Sequence, residues 1–177
     1  MRLFLAIELP EEVKRILWRL QCDIPGARWV EREQLHLTLS FLGELEETAT
    51  QSLTALLSGI RTPGFEIRFA GTGCFPNRRQ PRVLWIGLEP EPQLNRLAAQ
   101  IRKAVLSCDI HQEERPFSAH ITLARLKLPA CSEVAAFLDQ ALKQKLPTVP
   151  VREFILFQSR LTPQGAIHTP LKRFQLA

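Results

Sequence analysis

Residues 36–43 read HLTLSFLG and residues 120–127 read HITLARLK. Each opens on a histidine and then alternates apolar with small polar residues, the period-two pattern of a strand with one greasy face. Positions i and i+2 of a strand share a face. His36, Thr38 and Ser40 are therefore expected on one side of the first strand, with Leu37, Leu39 and Phe41 on the other. In the second strand His120 and Thr122 share a side, backed by Ile121 and Leu123. Simple alternation puts Arg125 on the face away from His120 unless that strand ends or bulges.

Working outward, the flanking text repeats as well. LFLAIELP at 3–10 matches VLWIGLEP at 83–90, each an apolar run closing on an acidic residue and proline. Helical spacing follows both: Val13, Ile16, Leu17 and Leu20 in the first copy, Leu94, Leu97, Ile101, Ala104 and Val105 in the second. Pro10 and Pro92 suit helix starts. After the histidine strands come helix candidates Glu46–Leu57 and Ser132–Leu142, with Ser132 a candidate cap. FEIRFAG at 65–71 and VREFILFQS at 151–159 then close the copies, and IHTPLKRFQL at 167–176 reads as a hairpin-like tail. The chain thus reads as two copies of strand–helix–strand–helix–strand, about 1–75 and 83–160, with 161–177 completing one compact body. Duplicated units pack about a pseudo-twofold axis, which brings equivalent positions together. No low-complexity linker separates the copies; PNRRQPR at 76–82 is a proline- and arginine-rich loop.

Composition sets the outer bounds. The 177 residues, 45% hydrophobic and 23% charged, are ordinary globular composition and exclude wholesale disorder. A net charge of +5 favours an anionic partner without naming one. Cys22, Cys74, Cys108 and Cys131 form no C-x-x-C pair, against a zinc site or a disulfide framework, and are expected as buried, inert thiols. The apolar run at the N-terminus stops at Pro10 and two glutamates, too short for a signal peptide or a membrane span. A cytoplasmic setting is the expectation.

Two imidazoles, each beside a hydroxyl, suit acid–base chemistry at a phosphodiester. Near pH 6.5 one ring can act as base while the other, protonated, acts as acid. Threonine hydroxyls can donate to non-bridging phosphate oxygens and hold the phosphorus for in-line attack. No H-x-H, H-E-x-x-H or carboxylate cluster stands near either histidine, so no metal or cofactor is implied. From the residues alone the two histidines are interchangeable, and acid and base cannot be told apart.

His36-Leu37-Thr38-Leu39 and His120-Ile121-Thr122-Leu123 resemble the paired H-x-T-x motifs of the two-histidine (2H) phosphoesterase superfamily. RLFLAIELP, LHLTLSFLGE, RVLWIGLE, PFSAHITLAR and TPLKRF are similar to its LigT/ThpR-type RNA 2′,3′-cyclic phosphodiesterases, across essentially the whole chain. The resemblance implies an α+β, bilobal, pseudo-twofold LigT-like fold with antiparallel sheets lining a central groove. It implies hydrolysis of RNA 2′,3′-cyclic phosphate ends to 2′-phosphate, with reversible 2′-5′ ligation of tRNA halves associated with the family. By position, His36 would be the proton donor to the departing 3′ oxygen, His120 the proton acceptor that activates water, and Thr38 and Thr122 the phosphate holders. Arg125 would sit near the phosphate. The expected partner is RNA with cyclic phosphate ends, acted on by a monomer without an obligate protein partner or membrane.

Phe117 and Phe4 are candidates to stack a base, although Phe4 reads better as core. Ser40 joins Phe117 and Arg125 as a candidate substrate contact by its expected face. Arg78, Arg79 and Arg82 could meet an RNA backbone; His168, Lys172 and Arg173 could extend a basic rim. His111 reads as a surface residue, and Trp18, Trp29 and Trp85 as packing anchors. A small nucleotide, such as an ADP-ribose cyclic phosphate or a 2′,5′-oligoadenylate, would suit the same chemistry. A non-catalytic RNA-binding module is the reading from another class. Comparing turnover of RNA ends with that of mononucleotide cyclic phosphates separates the first, and any product formation excludes the second.

Overall fold

A computed structural model describes residues 1–140 and 145–177. Strand β1 (Arg2–Glu8) leads into helix α1 (Glu11–Trp18), then the short strand β2 (Ala27–Trp29), a 3-10 turn and strand β3 (His36–Glu44). Helix α2 (Glu47–Ser58) and strands β4 (Phe65–Ile67) and β5 (Phe69–Phe75) complete the first copy. The second runs β6 (Val83–Leu88), α3 (Pro92–Leu106), β7 (His120–Leu126), α4 (Ser132–Asp139), β8 (Val149–Val151) and β9 (Glu153–Thr162), with β10 (Gly165–Gln175) as the tail. Each expected closing strand is thus two strands. Pro92 occupies the first helical position of α3, where Glu91 caps by accepting from the Gln93 N–H at 3.0 Å. Cys131, not Ser132, precedes α4. That helix is shorter than expected, and Leu142 lies outside the described residues.

Two four-stranded antiparallel sheets form, in the orders β10-β9-β1-β3 and β2-β7-β6-β5. They do not follow the sequence copies. β5 of the first copy pairs with β6 of the second, while β9 of the second pairs with β1 of the first. The crossing point is the two-stranded β4–β8 sheet, where Glu66 lies opposite Pro150. These residues are 84 apart in sequence, the spacing that also separates His36 from His120. Equivalent segments therefore meet across the pseudo-twofold axis, and the chain must exchange its closing strands to pass it. The copies at 1–75 and 83–160 are consequently not separate bodies.

One hydrophobic cluster runs through both. Leu5, Ile7 and Leu37 from the first sheet join Leu84, Ile86 and Ile121 from the second, closed by Leu53 and Leu57 of α2 and Leu94, Leu97 and Ile101 of α3. Each fully buried aliphatic side chain contributes about 1.5–3 kcal/mol by leaving water. A second, smaller cluster of Phe4, Ala6, Ile155 and Phe157 covers the other face of the first sheet. That face, with its counterpart on the second sheet, carries the polar residues of the histidine strands.

Candidate active site

Pairing with the neighbouring strand decides where each side chain of the motifs points. In β3, Thr38 lies opposite Ala6 but Ser40 lies opposite Leu5, so Leu39 is an extra residue in the ladder. In β7, Thr122 lies opposite Trp85 but Ala124 opposite Leu84, so Leu123 is extra in the same way. A bulge adds one residue and reverses the alternation beyond it. Before the bulges His36, Thr38, His120 and Thr122 keep the faces expected of them. Beyond them, Ser40 turns to the Leu5 side and Phe41 and Arg125 turn to the histidine side.

The consequences are concrete. A cleft of about 580 Å³ is lined by His36, Thr38 and Phe41 of β3, Thr122 and Arg125 of β7, and residues of β1, β2, β9 and β10. Arg125 shares it with the threonines, which simple alternation denied. Ser40 does not: it is 8% exposed, and its hydroxyl donates to Gln112 Oε1 at 2.9 Å. Phe41, expected to face the core, is 67% exposed at the cleft. Phe117 packs against the main core and does not line the cleft. Phe4 is buried and forms a platform under the imidazoles, 4.9 Å from the His36 ring and 4.8 Å from that of His168.

Both motif histidines are held alike. His36 Nδ1 lies 2.6 Å from the Gln34 carbonyl oxygen, and His120 Nδ1 lies 2.7 Å from that of Ser118, in each case two residues back. A carbonyl oxygen only accepts, so Nδ1 carries the proton in both neutral rings and Nε2 is left as an acceptor. Gln34 is itself fixed, its side-chain amide donating to the Ala166 carbonyl of β10. Strands β3 and β7 touch, which brings the two halves of the pair onto one body. His120 stands at the rim, outside the cleft lining, with its ring against Phe75 at 4.9 Å and Trp85 at 6.3 Å. The Trp85 indole lies flat over Gly73, where an added Cβ would come within 2.2 Å of the ring.

Burial shifts both rings in one direction. It pushes His36 down to about 4, against the opposing pull of its hydrogen bond to Gln34. Burial lowers His120 as well, with the nearby Arg125 charge adding to it. Among the described residues the Thr38 and Thr122 hydroxyls have no protein partner, leaving both free to donate to a ligand. No group of three or more His, Cys, Asp or Glu side chains that could hold a metal occurs among the described residues. No helix there is long and apolar enough to cross a membrane.

His168 lies deeper in the cleft than the idea of a basic rim anticipated. Its ring meets His36 edge-on at 5.5 Å, burial lowers its pKa, and its Nδ1 is buried without a protein partner. Its neighbours in the tail do not join it. Arg173 pairs with Glu8 and Glu153, and Lys172 lies over the Phe174 ring at 5.5 Å. Arg78 pairs with Asp139 at 2.8 Å, and Arg79 and Arg82 are exposed away from the cleft. Sequence reasoning passed over Arg28 of β2, which lines the cleft beside Arg125. Its strand is three residues long and carries no alternation to read.

Comparison with known proteins agrees with this architecture. The family model described as the 2′-5′ RNA ligase superfamily matches residues 9–160. The RNA 2′,3′-cyclic phosphodiesterase of Archaeoglobus fulgidus is 37% identical over 179 residues, covering 99% of this chain and 100% of that protein. The one from Thermus thermophilus is 39% identical, covering 99% of this chain and 90% of that protein. The crystal structure of Escherichia coli LigT complexed with 3′-AMP superposes with a TM-score of 0.80 at 33% identity, over 99% of this chain and 97% of that one. With the full length matched in sequence and in fold, this chain belongs to the 2′-5′ RNA ligase superfamily.

Proposed function

We propose that this protein is an RNA 2′,3′-cyclic phosphodiesterase that opens the cyclic phosphate at an RNA end to a 2′-phosphate. The observation that carries the reading is the matched pair of histidines. Each is oriented through Nδ1 by the carbonyl two residues back, and each has a free threonine hydroxyl on the same strand face. His120 Nε2 takes a proton from water while the water oxygen bonds to phosphorus. The bond from phosphorus to the 3′ oxygen breaks, and that oxygen takes the proton from His36 Nε2. Thr38 and Thr122 donate to the non-bridging oxygens, and Arg125 offsets the charge that gathers there. Phe41, exposed in the cleft, offers its ring to the terminal base.

Because burial keeps His36 neutral in the free protein, the ring takes up its donor proton from solvent as the substrate binds, the anionic phosphate favouring the charged form. With a 5′ hydroxyl in place of water, its oxygen bonds to phosphorus as the 3′ oxygen leaves, and the same groups join ends through a 2′-5′ bond. This reading includes a monomer acting in the cytoplasm on RNA with cyclic phosphate ends, tRNA halves among them. The test is chromatography of products from a cyclic-phosphate oligonucleotide. The 2′-phosphate is expected, with turnover abolished in His36→Ala and His120→Ala and reduced about a hundredfold in Thr38→Val and Thr122→Val. A 3′-phosphate product, or normal turnover in either histidine variant with an unchanged fold, refutes it.

A further inference from the structure

The pseudo-twofold provides an internal control for one feature of the cleft. In β2 and β7, Arg28 lies directly opposite Arg125, and both line the cleft. Like charges directly opposed across strands repel, with Cβ atoms only about 5 Å apart. Shifting each position by the 84 residues that relate the copies gives Gln112 and Phe41. There no arginine stands, and the Gln112 side-chain amide donates to the Phe41 backbone carbonyl at 2.8 Å. The fold therefore does not require two arginines at this place. Among the described residues neither Arg28 nor Arg125 has a carboxylate partner, and no Asp or Glu lines the cleft. Arg28 is exposed, with its guanidinium beside Gly165.

Resting on the phosphodiesterase reading, the geometry points to Arg28 as a subsite for a second phosphate, one strand outward from the reacting one. On an RNA end, that phosphate is the diester on the 5′ side of the terminal nucleoside. Arg125, nearer Thr122, stands between the two anions, which relieves the repulsion between the arginines. The substrate then lies in one direction only, with its base toward Phe41 and its next phosphate toward Arg28.

The test uses three substrates that share one terminal nucleoside: its 2′,3′-cyclic phosphate with a free 5′ hydroxyl, the same compound 5′-phosphorylated, and the dinucleotide ending in it. Wild type is expected to favour the two that carry a second phosphate. Arg28→Gln lowers their kcat/KM relative to the first by about tenfold, through KM, as loss of one charge-assisted contact requires. Arg28→Lys keeps most of the preference. With the dinucleotide, the slope of log(kcat/KM) against log salt flattens by about 0.7 in Arg28→Gln. A gain from the 5′-phosphate equal to that from the dinucleotide means that one phosphate is read; a gain from the dinucleotide alone means that the bridging diester is read. Equal losses on all three substrates, or none, overturn the subsite. Calorimetry with the nucleoside 2′-phosphate and 2′,5′-bisphosphate reads the same preference without turnover. If no substrate is hydrolysed, the phosphodiesterase reading falls, and this affinity ratio still decides the role of Arg28.

Discussion

His36 makes stability depend on pH in a way that a single substitution isolates. Its ring titrates at 6.5 when free and at about 4 when folded, because burial disfavours the charged form. As pH falls from 6.5 the unfolded chain takes up the proton first, so the folded state loses stability continuously until about pH 4. Above 6.5 both states are neutral at this site and nothing is lost. At about 1.4 kcal/mol per pH unit, the whole effect is about 3 kcal/mol, of which about 2.5 falls between about pH 7 and about pH 4.5. In His36→Asn the site no longer titrates. Urea unfolding of both proteins at those two pH values gives the double difference, in which carboxylates, His120 and His168 largely cancel. Wild type should lose about 2.5 kcal/mol more than the variant on acidification. Losses equal within about 0.5 kcal/mol would show that the folded protein accepts the proton as readily as water does, and the burial argument fails.

Three further outcomes follow from the same site. With both motif rings held low, the bell-shaped profile of kcat/KM should peak below pH 6.5, since the free-protein pKa values set its limbs; an optimum near pH 8 contradicts this. Calorimetry of nucleoside 2′-phosphate binding near pH 7, in buffers of different ionisation enthalpy, should show uptake of about one proton as His36 becomes charged. Zero uptake removes His36 as the donor supplied in this way. Gly73→Ala drives a methyl into the Trp85 ring and should cost about 1–3 kcal/mol while lowering kcat, because Trp85 packs beside His120. Unchanged unfolding and turnover would mean that the indole moves aside without consequence.

The strands and their greasy faces were readable because alternation and helical spacing are local. Leu37 and Ile121 are buried for the reason that their positions beside His36 and His120 announce. The repeat also announced that the two motif strands come together, as β3 and β7 do. Ser40, Phe41 and Arg125 could not be placed correctly by alternation, since the extra residues Leu39 and Leu123 exist only relative to β1 and β6. The opening strands show the same limit. The likeness of 3–10 to 83–90 aligns Leu5 with Trp85, yet pairing to the histidine strands makes Ala6 the counterpart of Trp85.

What the sequence by itself determined is the repeat, the α+β succession and the two H-x-T faces, all set by residues a few positions apart. Tertiary structure alone decided the exchange of β5 and β9, the fixed Nδ1 protons, and the meeting of His168 with His36 from 132 residues away. It also decided that Arg28 lies beside Arg125 in the cleft. The physical reason is closure about the pseudo-twofold axis. Burying one continuous core forces distant strands into register, and register, which no local pattern records, chooses the side chains that face the cleft.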